Sequence, residues 1–192
     1  MAISTCKKII ATLPLILGIA VSIIFIFFIG PEALVDYIGI QNAYGLMFLI
    51  AAIGGLSTFN SVPYLAVLFV LANTGVDPLW LGIVSAVGVM CGDSFSYLLG
   101  RSGETVIPES FKFVFASIKN FAITYPRLYP SFCFIYGAIC PLSNDFVTIS
   151  AGIANISYKK VMVPLALGNI VFSIGFSYAS VYASDWIGGL LG

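Results

Sequence analysis

The stretch Ser131–Ala151, SFCFIYGAICPLSNDFVTISA, places a polar turn between two apolar arms. About ten apolar residues lead to Pro141, a polar cluster follows, and a second apolar arm leaves it. The cluster consists of Ser143, Asn144 and Asp145. An apolar arm of roughly 10 to 14 residues is typical of a re-entrant or buried segment, because a full membrane crossing needs about 20. The polar turn would therefore lie at membrane depth, where polar groups are costly and commonly functional.

The composition predicts an integral membrane protein. Of the 192 residues, 60% are hydrophobic and 8% are charged, against about 25% charged in soluble proteins. The mean hydropathy is +1.07. A chain of this length has room for about five or six membrane-embedded segments in one membrane domain.

The residue types disfavour several classes of site. The chain has no histidine, and its four cysteines are scattered without a CxxC pair, so a metal site or a disulfide framework is not expected. A Ser-His-Asp triad cannot be built without histidine, and no phosphate-binding loop is visible. We therefore expect no enzyme activity, no cofactor and no nucleic-acid partner. The cysteines are Cys6, Cys91, Cys133 and Cys140.

The predicted fold class is an all-α integral membrane protein, divided by its charge pattern into six segments. Residues 9–29 form a first transmembrane helix; this run exceeds the 7 to 15 residues typical of a signal-peptide core, so the helix is expected to be retained. The other segments are a re-entrant hairpin over 44–72, a transmembrane helix over 79–99, a cytoplasmic or interfacial segment over 101–127, a second re-entrant hairpin over 129–156 and a transmembrane helix over 161–184.

The first hairpin is predicted from an uncharged run with a helix-breaking centre. Its apolar arms, 44–53 and 64–71, are each too short to span comfortably, and its centre contains Asn60, Ser61 and Pro63. Lipid cannot satisfy an irregular backbone, so this centre must be buried in protein or line a wet cavity. Two short tilted helices joined by an ordinary loop remain an alternative.

The segment between the hairpins combines a spanning helix with an amphipathic one. In the spanning run, Gly82, Gly88 and Gly92 indicate close helix packing on one flank, and Asp93 is its one carboxylate. In the polar segment that follows, apolar residues recur at helical spacing, which favours an amphipathic helix anchored at the membrane surface. They are Phe111, Val114, Phe115, Ile118 and Phe121.

The basic residues orient the chain. If the amino terminus is cytoplasmic and each hairpin returns to the side it entered, all eight Lys and Arg lie inside and the carboxyl terminus lies outside, as the positive-inside rule requires. A re-entrant hairpin and two short crossings both return the chain to the side it entered, so the charge pattern does not distinguish them. The hairpins would then enter from opposite sides, and a faint repeat fits an inverted architecture: Ala72-Asn73-Thr74 with Ala154-Asn155-Ile156, and Phe95-Ser96-Tyr97 with Phe176-Ser177-Tyr178.

The run from Gly88 to Gly103, GVMCGDSFSYLLGRSG, resembles the GxxxGDxxxYxxGRxxG element of the DedA family, also called the VTT or SNARE-associated Golgi protein family. The likeness covers roughly residues 50–180, and the second half is similar to the smaller YqaA-like branch. The resemblance implies two opposed re-entrant hairpins and movement of lipids or lipid-linked phosphate carriers between leaflets, in some members linked to the proton gradient. The chain departs from the usual pattern because Ala138 and Asn144 stand where many relatives have arginine.

Asp145 is the leading candidate for a site on the substrate or proton pathway. A buried carboxyl group there would take up a proton or contact the cationic part of a head group. The structural alternative is that Asp145 caps the outgoing half-helix. Asn144 and Ser143 share this ambiguity, and the half-helix amino terminus that they mark would itself favour a phosphate.

Asp93 is the second candidate. Tyr97 lies one helical turn later and could donate a hydrogen bond to it; alternatively, Asp93 is a residue near the interface with Arg101 nearby. Arg101 itself is assigned to the lipid head-group region. The remaining candidates are Tyr136, Asn60 and Ser61 on the pathway, and Pro63 and Pro141 as structural hinges.

We therefore expect a multi-pass protein of the cytoplasmic membrane that moves phospholipid or a polyprenyl-phosphate carrier through a polar crevice between the hairpin tips. Its partners would be membrane lipids and protons, and a homo-oligomer remains open. The alternatives are a proton-coupled exporter of small solutes and a non-transporting membrane organiser.

Overall fold

The structure, a computed structural model, describes residues 39–56, 62–103, 112–140 and 143–191. These residues form seven α-helices and no strand, which confirms the all-α class for the described part of the chain. The helices are α1 (Ile40–Leu56), α2 (Val62–Ala72), α3 (Pro78–Ser102), α4 (Lys112–Thr124), α5 (Tyr129–Ile139), α6 (Asp145–Ile153) and α7 (Tyr158–Leu191). The predicted helix over 9–29 lies outside the described residues.

Two of the described helices are long and apolar enough to cross a membrane. They are α3, with 25 residues, and the first 27 residues of α7, up to Ser184. At 1.5 Å per residue, a 25-residue helix extends about 37 Å, more than the roughly 30 Å of a bilayer core. The runs predicted to span, 79–99 and 161–184, lie inside these helices.

The chain around α3 explains where this helix begins and ends. Oδ1 of Asp77 accepts hydrogen bonds from the backbone N–H groups of Leu79 (2.8 Å) and Trp80 (3.3 Å), which is the geometry of a helix amino-terminal cap. Pro78 then occupies the first turn, where its missing N–H costs nothing. At the other end, Gly103 has φ +75° and stops the helix in a left-handed conformation.

The first helix is longer than the predicted arm. The arm was expected to begin at residue 44, but α1 begins at Ile40 and has 17 residues, or about 25 Å. The carbonyl oxygen of Gly39 accepts hydrogen bonds from the N–H groups of Asn42 and Ala43, both at 3.1 Å, and Gly39 has φ +80°. The glycine therefore starts the helix one turn earlier than the apolar pattern indicates.

Each long helix packs in parallel with the first arm of one hairpin. The first arm α1 lies along α3: a Cβ atom added to Gly88 would lie 2.6 Å from the carbonyl oxygen of Phe48, and one added to Gly55 would lie 3.1 Å from Cα of Gly92. In the same way α5 lies along α7, where a Cβ on Gly137 would lie 2.8 Å from the carbonyl oxygen of Leu165. Helix backbones this close require glycine.

The two long helices cross in antiparallel fashion. Gly82, early in α3, lies against Ile174 of α7, where an added Cβ would come within 2.7 Å of the Ile174 backbone. Tyr97, late in α3, packs its ring edge-on against Tyr158 at the start of α7, with ring centroids 5.4 Å apart. The prediction that Gly82, Gly88 and Gly92 share one flank is therefore wrong: Gly88 and Gly92 face α1, whereas Gly82 faces α7.

The second arms pack on the opposite long helices. The arm α6 lies along α3, with Gly100 of α3 against Ile149 and with Gly152 against the backbone of Tyr97 and Arg101. The arm α2 contacts α7 more than it contacts α3. Each long helix is therefore held between the first arm of its own hairpin and the second arm of the other.

The amphipathic segment forms α4, which packs on α6. Phe115 is 3% exposed, and its ring lies 5.3 Å from that of Phe146. The hydroxyl of Ser150 donates to the carbonyl oxygen of Phe115 at 3.3 Å. The apolar side of α4 thus contacts the helix that begins at Asp145, whereas the sequence predicted only an anchor at a surface.

Four basic side chains, Arg101, Arg127, Lys159 and Lys160, lie at one end of the helix assembly. Arg101 ends α3 at the level where α7 begins, because Tyr97 and Tyr158 are in contact. Arg127 lies there as well because it precedes α5, which begins beside the start of α7. Asp77 lies at the opposite end, where α3 begins. The other basic residues among those described are Lys112 and Lys119, both in α4.

Candidate functional site

A small polar cavity lies where the four hairpin arms meet the middle of the two long helices. Its volume is about 20 Å³, enough for roughly one water molecule. Gly55 lines it from the end of α1, Tyr64 from the start of α2, and Gly137 and Cys140 from the end of α5. The polar groups at its wall are Tyr64, Asp93, Ser143, Asn144 and Asn169.

Three of these side chains form a closed hydrogen-bonded group, which we call the central triad: Asp93, Asn144 and Asn169. Oδ2 of Asp93 accepts hydrogen bonds from Nδ2 of Asn144 at 2.8 Å and from Nδ2 of Asn169 at 3.1 Å. Nδ2 of Asn144 also donates to Oδ1 of Asn169 at 3.1 Å. The triad joins three elements: α3, α7 and the start of α6. Asp93 at its centre is buried, with 2% of its surface exposed.

The triad lies well inside both long helices. Asp93 is 15 residues after Pro78 and 9 before Ser102 (93 − 78 and 102 − 93). Asn169 is 11 residues after Tyr158 and 15 before Ser184 (169 − 158 and 184 − 169). At 1.5 Å per residue, both side chains leave the helix at least about 13 Å from the nearer end. Asp93 is thus buried away from the end of α3, where Arg101 is exposed; its distance from a membrane interface stays a prediction.

Asp145 provides a second buried carboxyl group, 1% exposed, beside the triad. Its Oδ2 accepts a hydrogen bond from the hydroxyl of Ser143 at 2.8 Å. Ser96 on α3 faces the same carboxyl group, and Oδ1 of Asp145 has no hydrogen-bond partner among the described residues. Asp145 is also close enough to Asp93 for the two carboxyl groups to repel each other when ionised.

Among the described residues, no basic side chain contacts these two carboxyl groups. Arg101, Arg127, Lys159 and Lys160 lie at the end of the helix assembly, and residues 57–61 and 141–142 contain no Lys or Arg in sequence. A buried ionised carboxyl group without a counter-charge is strongly unfavourable. Since no described residue supplies the counter-charge, the polar centre favours protonated carboxyl groups or a bound cation.

The capping role considered for Asp145 and Asn144 is wrong. Asn144 occupies the amino-terminal cap position of α6, but its side chain makes no capping hydrogen bond, because its amide group is engaged with Asp93. The hydroxyl oxygen of Ser143 accepts instead from the N–H of Asp145 at 3.3 Å. The amide of Asn144 and the carboxyl group of Asp145 are thus committed to the polar centre.

The hydroxyl groups of Tyr97 and Tyr136 donate to backbone carbonyl oxygens. Tyr97 was predicted to donate to Asp93, but its hydroxyl donates to the carbonyl oxygen of Ile156, because its ring turns toward the loop before α7. This prediction is wrong. The hydroxyl of Tyr136 donates to the carbonyl oxygen of Ser143 at 3.0 Å, so Tyr136 supports the start of α6. Arg101 is exposed at the end of α3.

Several predicted site residues are not covered by these contacts. Asn60, Ser61 and Pro141 lie outside the described residues, so their assignments stay predictions. Pro63 lies in the first turn of α2, which is a common position for proline.

Asn169 is not among the predicted site residues because it carries no charge in the last spanning run. An asparagine in the middle of an otherwise apolar helix is itself a signal, since intramembrane polar residues commonly face a bundle interior. Its neighbour Gly168 strengthens the signal, because that glycine lies directly against Phe134 of α5. Tyr64 and Cys140 were also missed; each is a single residue in an apolar arm, without a spacing that marks it.

No group of three or more His, Cys, Asp or Glu side chains within the described ranges could hold a metal ion. Comparison with family models, with curated proteins and with solved structures finds no match to this chain.

Proposed function

We propose that this chain is a membrane transport protein of the DedA or VTT type, which moves a phospholipid or a polyprenyl-phosphate carrier between leaflets through the polar centre. The observation that carries the proposal is the central triad: a buried carboxyl group, held by two amides, at the crossing of two long apolar helices. Buried polar groups at such a position are costly and mark substrate or ion pathways in membrane proteins.

The positions of the hairpin bends support a re-entrant arrangement. The arm α1 runs parallel to α3 and ends with Gly55 beside Gly92, next to Asp93, and α2 begins with Tyr64 in the same cavity. The arm α5 ends at this cavity with Cys140, and α6 leaves it from Asn144. In a membrane, the facing ends of α1 and α2 and of α5 and α6 would therefore lie near the level of the triad, each pair reached from a different side.

The end-to-end separation of charge supports the orientation. Arg101, Arg127, Lys159 and Lys160 lie at one end of the assembly, and Asp77 lies at the other. The positive-inside rule makes the basic end cytoplasmic. We accordingly propose a multi-pass protein of the cytoplasmic membrane, with a cytoplasmic amino terminus and an external carboxyl terminus.

The charges at the centre favour a second candidate, a proton-coupled exporter of small solutes. Asp93 and Asp145 have no basic partner among the described residues, so an unprotonated centre would repel a phosphate group, whereas arginine would hold one. The lipid activity therefore requires protons at the centre when the phosphate passes. A small-solute exporter would use the same protons without handling lipid.

Reconstitution into liposomes tests and separates these activities. The purified protein is assayed for transfer of a labelled phospholipid and a labelled polyprenyl phosphate between leaflets, and for dissipation of a proton gradient by an internal pH-sensitive dye. We expect lipid transfer that Asp145→Asn reduces and that Asp77→Asn leaves unchanged. Asp77 is the matched control because it is exposed at the start of α3, where asparagine caps equally well.

Other results assign the protein elsewhere. Proton movement without lipid transfer would establish the exporter. Absence of both, with a cellular phenotype that survives Asp145→Asn, would contradict transport and leave a non-transporting membrane organiser.

A further inference from the structure

We infer that Asp93 and Asn169 are equivalent positions of an inverted repeat, and that together they form one site in which the carboxyl group can act from either long helix. This inference rests on the proposed transport function and deepens it, because it assigns Asn169 to the substrate or proton site.

The close contacts of the first arms carry the equivalence. A Cβ added to Gly55 would lie 2.8 Å from the carbonyl oxygen of Val89, and one added to Gly137 would lie 2.8 Å from the carbonyl oxygen of Leu165. The arms thus correspond at an offset of 82 residues (137 − 55), and the long helices at an offset of 76 (165 − 89). The same atom is approached at the same distance in each half.

The offset of 76 residues also pairs Gly92 with Gly168 and Asp93 with Asn169 (168 − 92 and 169 − 93). Gly92 contacts Gly55 of α1, and Gly168 contacts Gly137 of α5, so each glycine holds its long helix against the end of a first arm. The next residue then points its side chain into the same cavity in both halves. The sequence repeat that pairs Phe95-Ser96-Tyr97 with Phe176-Ser177-Tyr178 has an offset of 81 residues (176 − 95). The packing of the long helices does not follow that offset.

The direct contact between the paired residues places them at the repeat axis. Nδ2 of Asn169 donates to Oδ2 of Asp93 at 3.1 Å, and only positions close to a two-fold axis can meet their own equivalents. The antiparallel crossing agrees, because the contact between Gly82 and Ile174 has its counterpart near Tyr97 and Tyr158. A two-fold axis in the membrane plane is the arrangement of inverted-repeat transporters, whose sites lie at the repeat interface.

The geometry allows the two side chains to exchange roles. In the triad, Nδ2 of Asn144 already donates to both Asp93 and Asn169. With an aspartate at position 169 and an asparagine at position 93, the same amide could donate to both oxygens again. The hydrogen bond between positions 93 and 169 would simply reverse its direction.

The test is a carboxyl exchange assayed by lipid transfer and proton movement in liposomes. Asp93→Asn should lower the flux, and the double variant Asp93→Asn with Asn169→Asp should recover at least about tenfold over the single variant, within the coupling range of contacting residues. The matched control combines Asp93→Asn with Ser173→Asp, one turn further along α7, and should recover nothing. Thermal unfolding and gel filtration establish that each variant is folded.

Four results would overturn either the inference or the proposed function. A folded double variant with no more flux than Asp93→Asn overturns the inference while the wild-type flux keeps the proposed function. Recovery with Ser173→Asp as well would also overturn it, because any nearby carboxyl group would then suffice. If the double variant does not fold, Asn169→Ala is measured instead and should lower the flux at least about tenfold, as Asp93→Asn does; a folded Asn169→Ala with wild-type flux contradicts the assignment of Asn169 to the site. A wild-type protein that moves neither lipid nor protons overturns the proposed function itself.

Discussion

Replacing Gly82 with alanine should weaken the crossing of the two long helices. The added Cβ would lie 2.7 Å from both N and Cα of Ile174. Ordinary contacts begin at 3.4 Å, so the backbones must separate by about 0.7 Å (3.4 − 2.7), and backbone atoms cannot rotate away as a side chain can. Forcing an extra methyl group into a close-packed interface costs about 1–3 kcal/mol.

Gly175→Ala is the matched control on the partner helix. Gly175 follows Ile174 directly, but a Cβ added there would meet nothing within 4 Å. Both substitutions gain the same helix propensity, about 1 kcal/mol, so their difference isolates the clash. A clash of about 2 kcal/mol would separate the two melting temperatures by roughly 4–8 °C for a chain of this size.

Intrinsic fluorescence during thermal unfolding in detergent measures this difference. We expect Gly82→Ala to melt several degrees below Gly175→Ala, with wild type between them. Equal melting temperatures for the two variants would refute the close crossing of α3 and α7.

Two further substitutions test the packing around α6 by the same unfolding measurement. Tyr129→Phe removes the buried hydroxyl that donates to the carbonyl oxygen of Val147 at 3.0 Å and should cost about 1 kcal/mol; an unchanged melting temperature would contradict that hydrogen bond. Phe115→Ala leaves a cavity beside Phe146 and should cost about 3–5 kcal/mol, whereas Phe113→Ala, at a side chain 81% exposed, should cost less than about 0.5 kcal/mol. Equal losses at the two positions would show that α4 does not pack on α6.

Much of the helix pattern could be predicted because apolar length and charge placement are local signals. The spanning runs ended near charges, so 79–99 and 161–184 fall inside α3 and α7. The start of α1 was missed because Gly39 initiates the helix through its conformation and carbonyl group, which an apolar count does not detect. Gly82 was placed on the wrong flank because spacing along one helix does not name the neighbouring helix.

The polar centre was predicted in part. Asp93 and Asn144 were singled out because a carboxyl or amide group in an apolar helix is costly, but their hydrogen bond joins residues 51 positions apart, and no local pattern contains it. The predicted hydrogen bond from Tyr97 to Asp93 is wrong for a related reason. The i, i+4 spacing brings the two Cα atoms close, but the long side chain of Tyr97 reaches Ile156 instead. Asn169 carries no charge, so an analysis of charges passed over it.

The most direct test of the account is the rate of lipid transfer in proteoliposomes under an imposed proton gradient, measured for wild type, Asp93→Asn and Asp77→Asn. Each variant removes one carboxyl group from the wild-type protein, but only Asp93 lies in the central triad. The account predicts that Asp77→Asn transports like wild type and responds equally to the gradient, whereas Asp93→Asn loses at least about tenfold in rate, a barrier increase of about 1.4 kcal/mol, and no longer responds. Equal rates and equal gradient responses for the two variants would contradict a transport site at the crossing of α3 and α7.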